Sequence, residues 1–162
     1  MYLTKGLEVI LSAIISNFLA QFIKFIFFLI INKKISIQRL FQTGGMPSSH
    51  SAFMMGMAIS VGLTAGFDSV AFAIGLTITL VVMYDAAGLR RAVGKQAAVL
   101  NQIVTEIFSE HPHLSSQRFR ELLGHTPIEV LAGALLGSIV AIFIHWYELK
   151  VSCGIFTKAK FI

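Results

Sequence analysis

Charge is scarce in this chain. Asp, Glu, Lys and Arg together make up 13% of its 162 residues, where a soluble domain carries about a quarter. That deficit excludes an ordinary water-facing surface. Cysteine is nearly absent too. With Cys153 alone, no intramolecular disulfide can brace the fold, and the redox compartment is not legible. Acidic residues are the rarer charge, 8 against 13 basic, and the net charge of +5 suits anionic partners. Because 56% of the residues are hydrophobic and the mean hydropathy is +0.78, those partners are expected to be lipid phosphates and not nucleic acid. No repeat and no low-complexity tract interrupts the chain. A cleavable leader of the usual design is not expected, since the first apolar run is too long and has no small-residue cleavage site near its end. The length suggests a single domain, 1–162.

What the chain does have is long apolar runs. Four stretches approach the roughly 20 residues that a bilayer crossing needs: 7–31, 51–67, 69–86 and 128–147. The second and third are short and joined by "GFDSV", which predicts a tight helical hairpin. Two polar stretches remain, 32–50 and 88–124. In the latter, Val99, Leu100, Ile103, Val104, Ile107 and Phe108 fall at helical spacing, which predicts an amphipathic helix on the membrane or on the bundle. "SSQRFRELLG" reads as a further short helix, capped by Ser115 or Ser116 and stopped by Gly124. The expected fold is therefore all-α: an integral membrane bundle of about four transmembrane helices plus an amphipathic interfacial helix. With four spans both polar stretches lie on one side. Both are rich in Lys and Arg, and the hairpin tip at Asp68 has neither, so the positive-inside rule places them in the cytoplasm. Lys150, Lys158 and Lys160 in the tail argue the other way.

Two of these helices start in a similar manner. In "HTPIE", Thr126 can be the N-cap, Pro127 the first helical residue and Glu129 the third, a capping box with proline where a helix accepts it. Structure alone explains those three residues and leaves His125 over. In "GGMPSSHSAF", Ser48 or Ser49 can cap the helix, and Gly44 and Gly45 permit a turn before it. Here His50 is left over. Helix N-termini expose unpaired amides at the positive end of the helix dipole, which favours anions. Lys33, Lys34, Arg39, Arg90, Arg91, Lys95, Arg118 and Arg120 lie in the stretches that feed these starts. Two imidazoles, free amides and cations around one point suit phosphoryl transfer. One His attacks phosphorus, the other protonates the leaving oxygen, and the cations hold the phosphoryl oxygens.

"MPSSHSA" resembles the second signature of the type 2 phosphatidate phosphatase and vanadium haloperoxidase superfamily, and "GHTPIEVLAGALLG" resembles the third. Together with "YDAAGLRRAVGKQAAVLN", they resemble the divergent branch of that superfamily, made of small bacterial and plastid membrane proteins, over about residues 43–137. The resemblance implies that His125 is the nucleophile that forms a phospho-histidine. It implies that Glu129 stands in for the Asp that orients it, that His50 is the general acid, and that Ser48 and Ser49 bind phosphate. It also implies a multi-pass membrane protein, expected in the bacterial plasma (inner) membrane, and the positive-inside argument above turns its site to the cytoplasm. Three departures stand out. Glu129 is one methylene longer than the usual Asp. Ser49 replaces a Gly. The first signature, Lys then six residues then Arg-Pro, is absent, since Arg39 is followed by Leu40. The Arg of the third signature should fall at Phe119, which Arg118 and Arg120 straddle. Arg90 and Arg91 are expected to replace part of the phosphate clamp, although a basic pair at a membrane edge also serves as an anchor.

Other residues carry weaker signals. Asn17, Gln21 and Lys24 share one stripe of the first span, and intramembrane polar groups usually face the bundle. Lys24 can support the site or pair with Asp85. His111 and His113 suit a solvated loop better than a metal site, and no metal or other cofactor is expected. Gly133 and Gly137, like Ala52, Gly56 and Ser60, have small-residue spacing for close helix packing, within the chain first and in a homodimer second. The function expected is that of a membrane lipid phosphatase acting on a phosphomonoester or diphosphate of a phospholipid or polyprenyl lipid. Head-group transfer to an alcohol, or a catalytically weak lipid-binding scaffold, is the alternative.

Overall fold

The computed structural model describes residues 4–32, 45–107 and 125–159. Every regular element among them is a helix: α1 (Lys5–Asn32), α2 (Ser49–Ala65), α3 (Val70–Ala87), α4 (Leu89–Ile107) and α5 (Pro127–Ala159). Three are long and apolar enough to cross a membrane, over Lys5–Ile30, Val70–Ala87 and Pro127–Ser152. The fourth expected span, α2, has 17 residues and so a length of about 25 Å, at the short end of what a crossing takes.

Position explains why α2 is the least lipid-like of the four. It lies at the centre and packs on α5, α1 and α3. Its buried residues are Ser49, Ser51, Ala52, Gly56, Ala58, Ser60 and Gly62. All are small, so neighbouring backbones approach closely, the packing that membrane helices use where lipid offers no hydrophobic drive between them. The rest of the bundle follows the same logic. Ala13, Ser12, Ser16, Ala20 and Thr79 are buried, whereas Phe18, Phe22, Val70, Val81, Leu131, Leu135, Ile139 and Phe143 point outward. Large apolar groups outside and small groups inside suit a bundle whose solvent is lipid.

Gly133 and Gly137 show how close α5 comes to α2. A Cβ on Gly133 would collide with the Ser48 carbonyl, and one on Gly137 with the Ala52 carbonyl. The G-x-x-x-G spacing is thus used inside the chain. The α2–α3 turn is as tight as "GFDSV" predicts. Gly66, at φ +99°, ends α2 in a conformation that L side chains resist. Ser69 Oγ donates to the Gly66 carbonyl at 2.7 Å and accepts from the Phe72 amide at 3.2 Å to start α3.

The amphipathic segment is helical, as expected. α4 follows α3 after Gly88 and packs on α3 alone among the described helices. Ala97 is buried, and Val93, Val99, Leu100 and Ile103 are uncovered. α5 extends well past the expected end at 147, because no helix-breaking residue follows Tyr147 until Gly154. Near its far end Lys150 Nζ lies 4.0 Å from the centroid of the Trp146 ring. Trp, Tyr and Lys together mark a membrane–water boundary. From Pro127 to Trp146 the helix rises about 29 Å, the thickness of a bilayer's hydrocarbon core. The expected short helix at 115–124, with Phe108, His111 and His113, lies outside the described residues.

Candidate active site

The ends of four helices meet at one end of the bundle, and backbone hydrogen bonds tie three of them, α2, α3 and α5, together. The His125 amide, just before α5, donates to the Ala86 carbonyl in the last turn of α3 at 3.2 Å. The Ser48 amide, just before α2, donates to the Glu129 carbonyl in the first turn of α5 at 2.9 Å. Gly45, at φ +83°, lies over α1, where the Cγ and Cδ of Lys24 would sit 3.5 Å from an added Cβ. The two loops that carry the leftover histidines are therefore locked to each other through main-chain atoms.

The capping box forms as the sequence predicts. The Thr126 hydroxyl accepts from the Glu129 amide at 3.4 Å, and the Glu129 Oε2 accepts from the Thr126 amide at 3.3 Å. The same Oε2 also accepts from His125 Nδ1 at the shorter distance of 2.8 Å. A carboxylate only accepts, so Nδ1 carries the proton and the lone pair of the neutral ring lies on Nε2. His125 is 2% exposed, and its Nε2 is buried with no hydrogen-bond partner among the described residues. A buried nitrogen with a free lone pair, held by a carboxylate on the far side of the ring, is the arrangement a nucleophilic histidine needs.

Around it, Ser48 is the N-cap of α2. Its Oγ accepts from Ser51 Oγ at 3.0 Å and from the Ser51 amide at 3.4 Å. Ser49 is buried in the first turn of α2, and the next residue, His50, is exposed. Lys24 reaches this end from α1. Its Nζ is buried without a hydrogen-bond partner among the described residues, so it makes no hydrogen bond to Asp85. Asp85 is half-buried in the last turn of α3, and Lys95 is exposed on α4. Arg90 and Arg91 lie in the first turn of α4, with their side chains outside the described part. Lys33, Lys34, Arg39, Arg118 and Arg120 also lie outside the described residues. Among the described residues, no group of three or more His, Cys, Asp or Glu is arranged to hold a metal ion.

A second buried pair escaped the sequence reading. His145 Nδ1 lies 2.8 Å from Glu8 Oε1, joining α5 to α1, and Glu8 is 6% exposed. His145 is 20 residues beyond His125 along α5, about 30 Å at helical rise, so the pair sits at the opposite end of the bundle. An ionisable residue inside an apolar window was the available signal.

The profile of the Divergent PAP2 family matches residues 6–140. The uncharacterized membrane protein YuiD of Bacillus subtilis (strain 168) is 34% identical over 148 residues, which cover 85% of this chain and 94% of that protein. No solved structure matches.

Proposed function

The chain belongs to the Divergent PAP2 family, and on that premise we propose that this membrane protein is a lipid phosphatase working through a phospho-histidine. The observation that carries the reading is His125 itself: Nδ1 bound by Glu129 and Nε2 buried and unpartnered, where four helix ends meet. Nε2 attacks the phosphorus of a lipid phosphomonoester or terminal diphosphate, forming an N–P bond as the P–O bond to the leaving group breaks. His50 gives the leaving oxygen its proton. Water then attacks the phospho-histidine, His50 takes a proton back, inorganic phosphate leaves and His125 is restored. The N-terminal turns of α2 and α5, with Ser48 and Ser49 in the first of them, present amides to the phosphoryl oxygens. Exposure of His50 suits a group that must exchange protons with water. Arg90 and Arg91, in the first turn of α4, and Arg39, Arg118 and Arg120 are the proposed cations that hold the phosphoryl oxygens. By the positive-inside argument the site faces the cytoplasm across the plasma membrane.

The missing first signature is the specific observation that favours a weakly active lipid-binding protein instead. Phosphate release from phosphatidate, phosphatidylglycerophosphate and polyprenyl diphosphate by the purified protein separates the two readings. Release from at least one substrate, abolished by His125→Ala, supports the phosphatase. No release from any, or undiminished release by the variant, overturns it.

A further inference from the structure

The buried amine of Lys24 is an unusual thing to find in a membrane helix. Its Nζ has three donors and, among the described residues, no acceptor within hydrogen-bond distance. An ion taken out of water without a partner costs several kcal/mol, so such a group is not retained for the sake of stability. Its immediate neighbours in sequence, Phe22, Ile23, Phe25 and Ile26, are all apolar. One contact fixes where it points. Its stem runs beneath Gly45, three residues before Ser48. The Ser48 amide in turn donates to the carbonyl of Glu129, whose carboxylate holds His125. The unpartnered amine and the unpartnered Nε2 of His125 thus belong to the same helix end.

We infer that Lys24 is the phosphate-binding cation of this site, taking the place of the absent first signature. The inference rests on the phosphatase reading and adds to it a cation carried by a membrane helix. The transferring phosphoryl group spreads charge over three oxygens and needs a fixed cation beside the nucleophile. Lys24 supplies it from within a membrane-spanning helix, whereas Arg90 and Arg91 lie at the start of α4 and Arg39, Arg118 and Arg120 lie outside the described residues. A rigid element holds a catalytic charge better than a loop does. The depth of the residue bears on the ligand as well. Lys24 lies eight residues before the end of α1, about 12 Å along the axis. The phosphate is therefore drawn below the plane of the head groups, which suits a terminal phosphate with nothing beyond it and excludes a diester with a bulky head group.

The test uses the full-length protein with Lys24→Met, which keeps length and removes charge, and Lys24→Arg. Turnover is read on the lipid phosphates above. Binding of inorganic phosphate is read separately, as the rise in unfolding temperature that the ion gives. Lys24→Met is expected to unfold no earlier than the native protein, because an unpartnered buried charge has been removed. It is expected to lose about 100-fold or more in turnover and the stabilisation by phosphate. Lys24→Arg is expected to recover part of both, and His125→Ala to keep phosphate stabilisation while losing turnover. Lys24→Met turnover within threefold of native, or undiminished phosphate stabilisation, overturns the inference, as does a lower unfolding temperature with phosphate stabilisation intact. If the native protein hydrolyses no lipid phosphate but binds inorganic phosphate through Lys24, the anion site stands and the phosphatase reading falls. If it neither hydrolyses nor binds, both fall.

Discussion

Glu129→Gln separates the two roles that one carboxylate plays. The amide has nearly the same shape, and its oxygen can still accept from the Thr126 amide, so the start of α5 should survive. What disappears is the negative charge 2.8 Å from His125 Nδ1. Once Nε2 bears phosphorus and Nδ1 keeps its proton, the ring is a cation. Opposite charges about 4 Å apart interact by roughly 4 kcal/mol at an effective dielectric of 20, and at about 1.4 kcal/mol per decade that is a thousandfold in rate. A second loss is possible in kind. If the new amide nitrogen faces the ring, it donates to Nδ1, the proton moves to Nε2, and the nucleophilic lone pair is gone. Turnover should therefore fall by about 100-fold to 10,000-fold, with an unfolding temperature close to native. Glu129→Asp keeps the charge but falls short by one methylene, so it should retain more activity than the amide. The assay is phosphate release from the best lipid substrate, beside His125→Ala. A Glu129→Gln protein within threefold of native, with His125→Ala inactive, would refute the argument and leave Glu129 as a helix cap alone.

Two further outcomes concern the bundle. Gly133→Ala should destabilise by at least the roughly 1–3 kcal/mol of an overpacked core, because its Cβ meets the backbone carbonyl of Ser48 and not the end of a flexible side chain. Thermal unfolding in detergent reads this, and Gly6→Ala, with nothing within 4 Å of its added Cβ, should be neutral or slightly stabilising; equal behaviour of the two would refute the close approach of α5 to α2. His145→Ala should cost about 1–3 kcal/mol by leaving the Glu8 carboxylate buried without its partner, while turnover per folded molecule stays near native. A change in turnover without a change in stability would instead tie that far pair to the chemistry.

What was legible in the sequence was local. The His125–Glu129 contact is what the family resemblance implies, and the capping box of Thr126 and Glu129 spans three residues and follows from helix geometry alone. The amphipathic segment and the tight α2–α3 turn were readable for the same reason. The family resemblance added the pairing of two distant loops, and the His125–Ala86 and Ser48–Glu129 backbone bonds supply the physical means of that pairing. What was not legible depends on which face of one helix meets another. Lys24 fell on a polar stripe that could have turned to Asp85, and only the crossing of α1 beneath Gly45 directs it to the turn that leads to Ser48. The His145–Glu8 contact joins residues 137 positions apart, beyond the reach of any periodicity.

The opposition between a well-made helix start and a chemical site does not survive the geometry of Glu129. One oxygen of its side chain accepts from both Thr126 and His125. The capping box requires a long acceptor at the third helical position that folds back toward the cap, and a carboxylate so folded lies against the residue just before the cap. The cap thereby aims the carboxylate, and the carboxylate fixes the ring. Aspartate at this position would reach back less far. The longer side chain of glutamate is therefore no mere departure from the superfamily pattern: it lets one residue close the cap and hold the histidine at once.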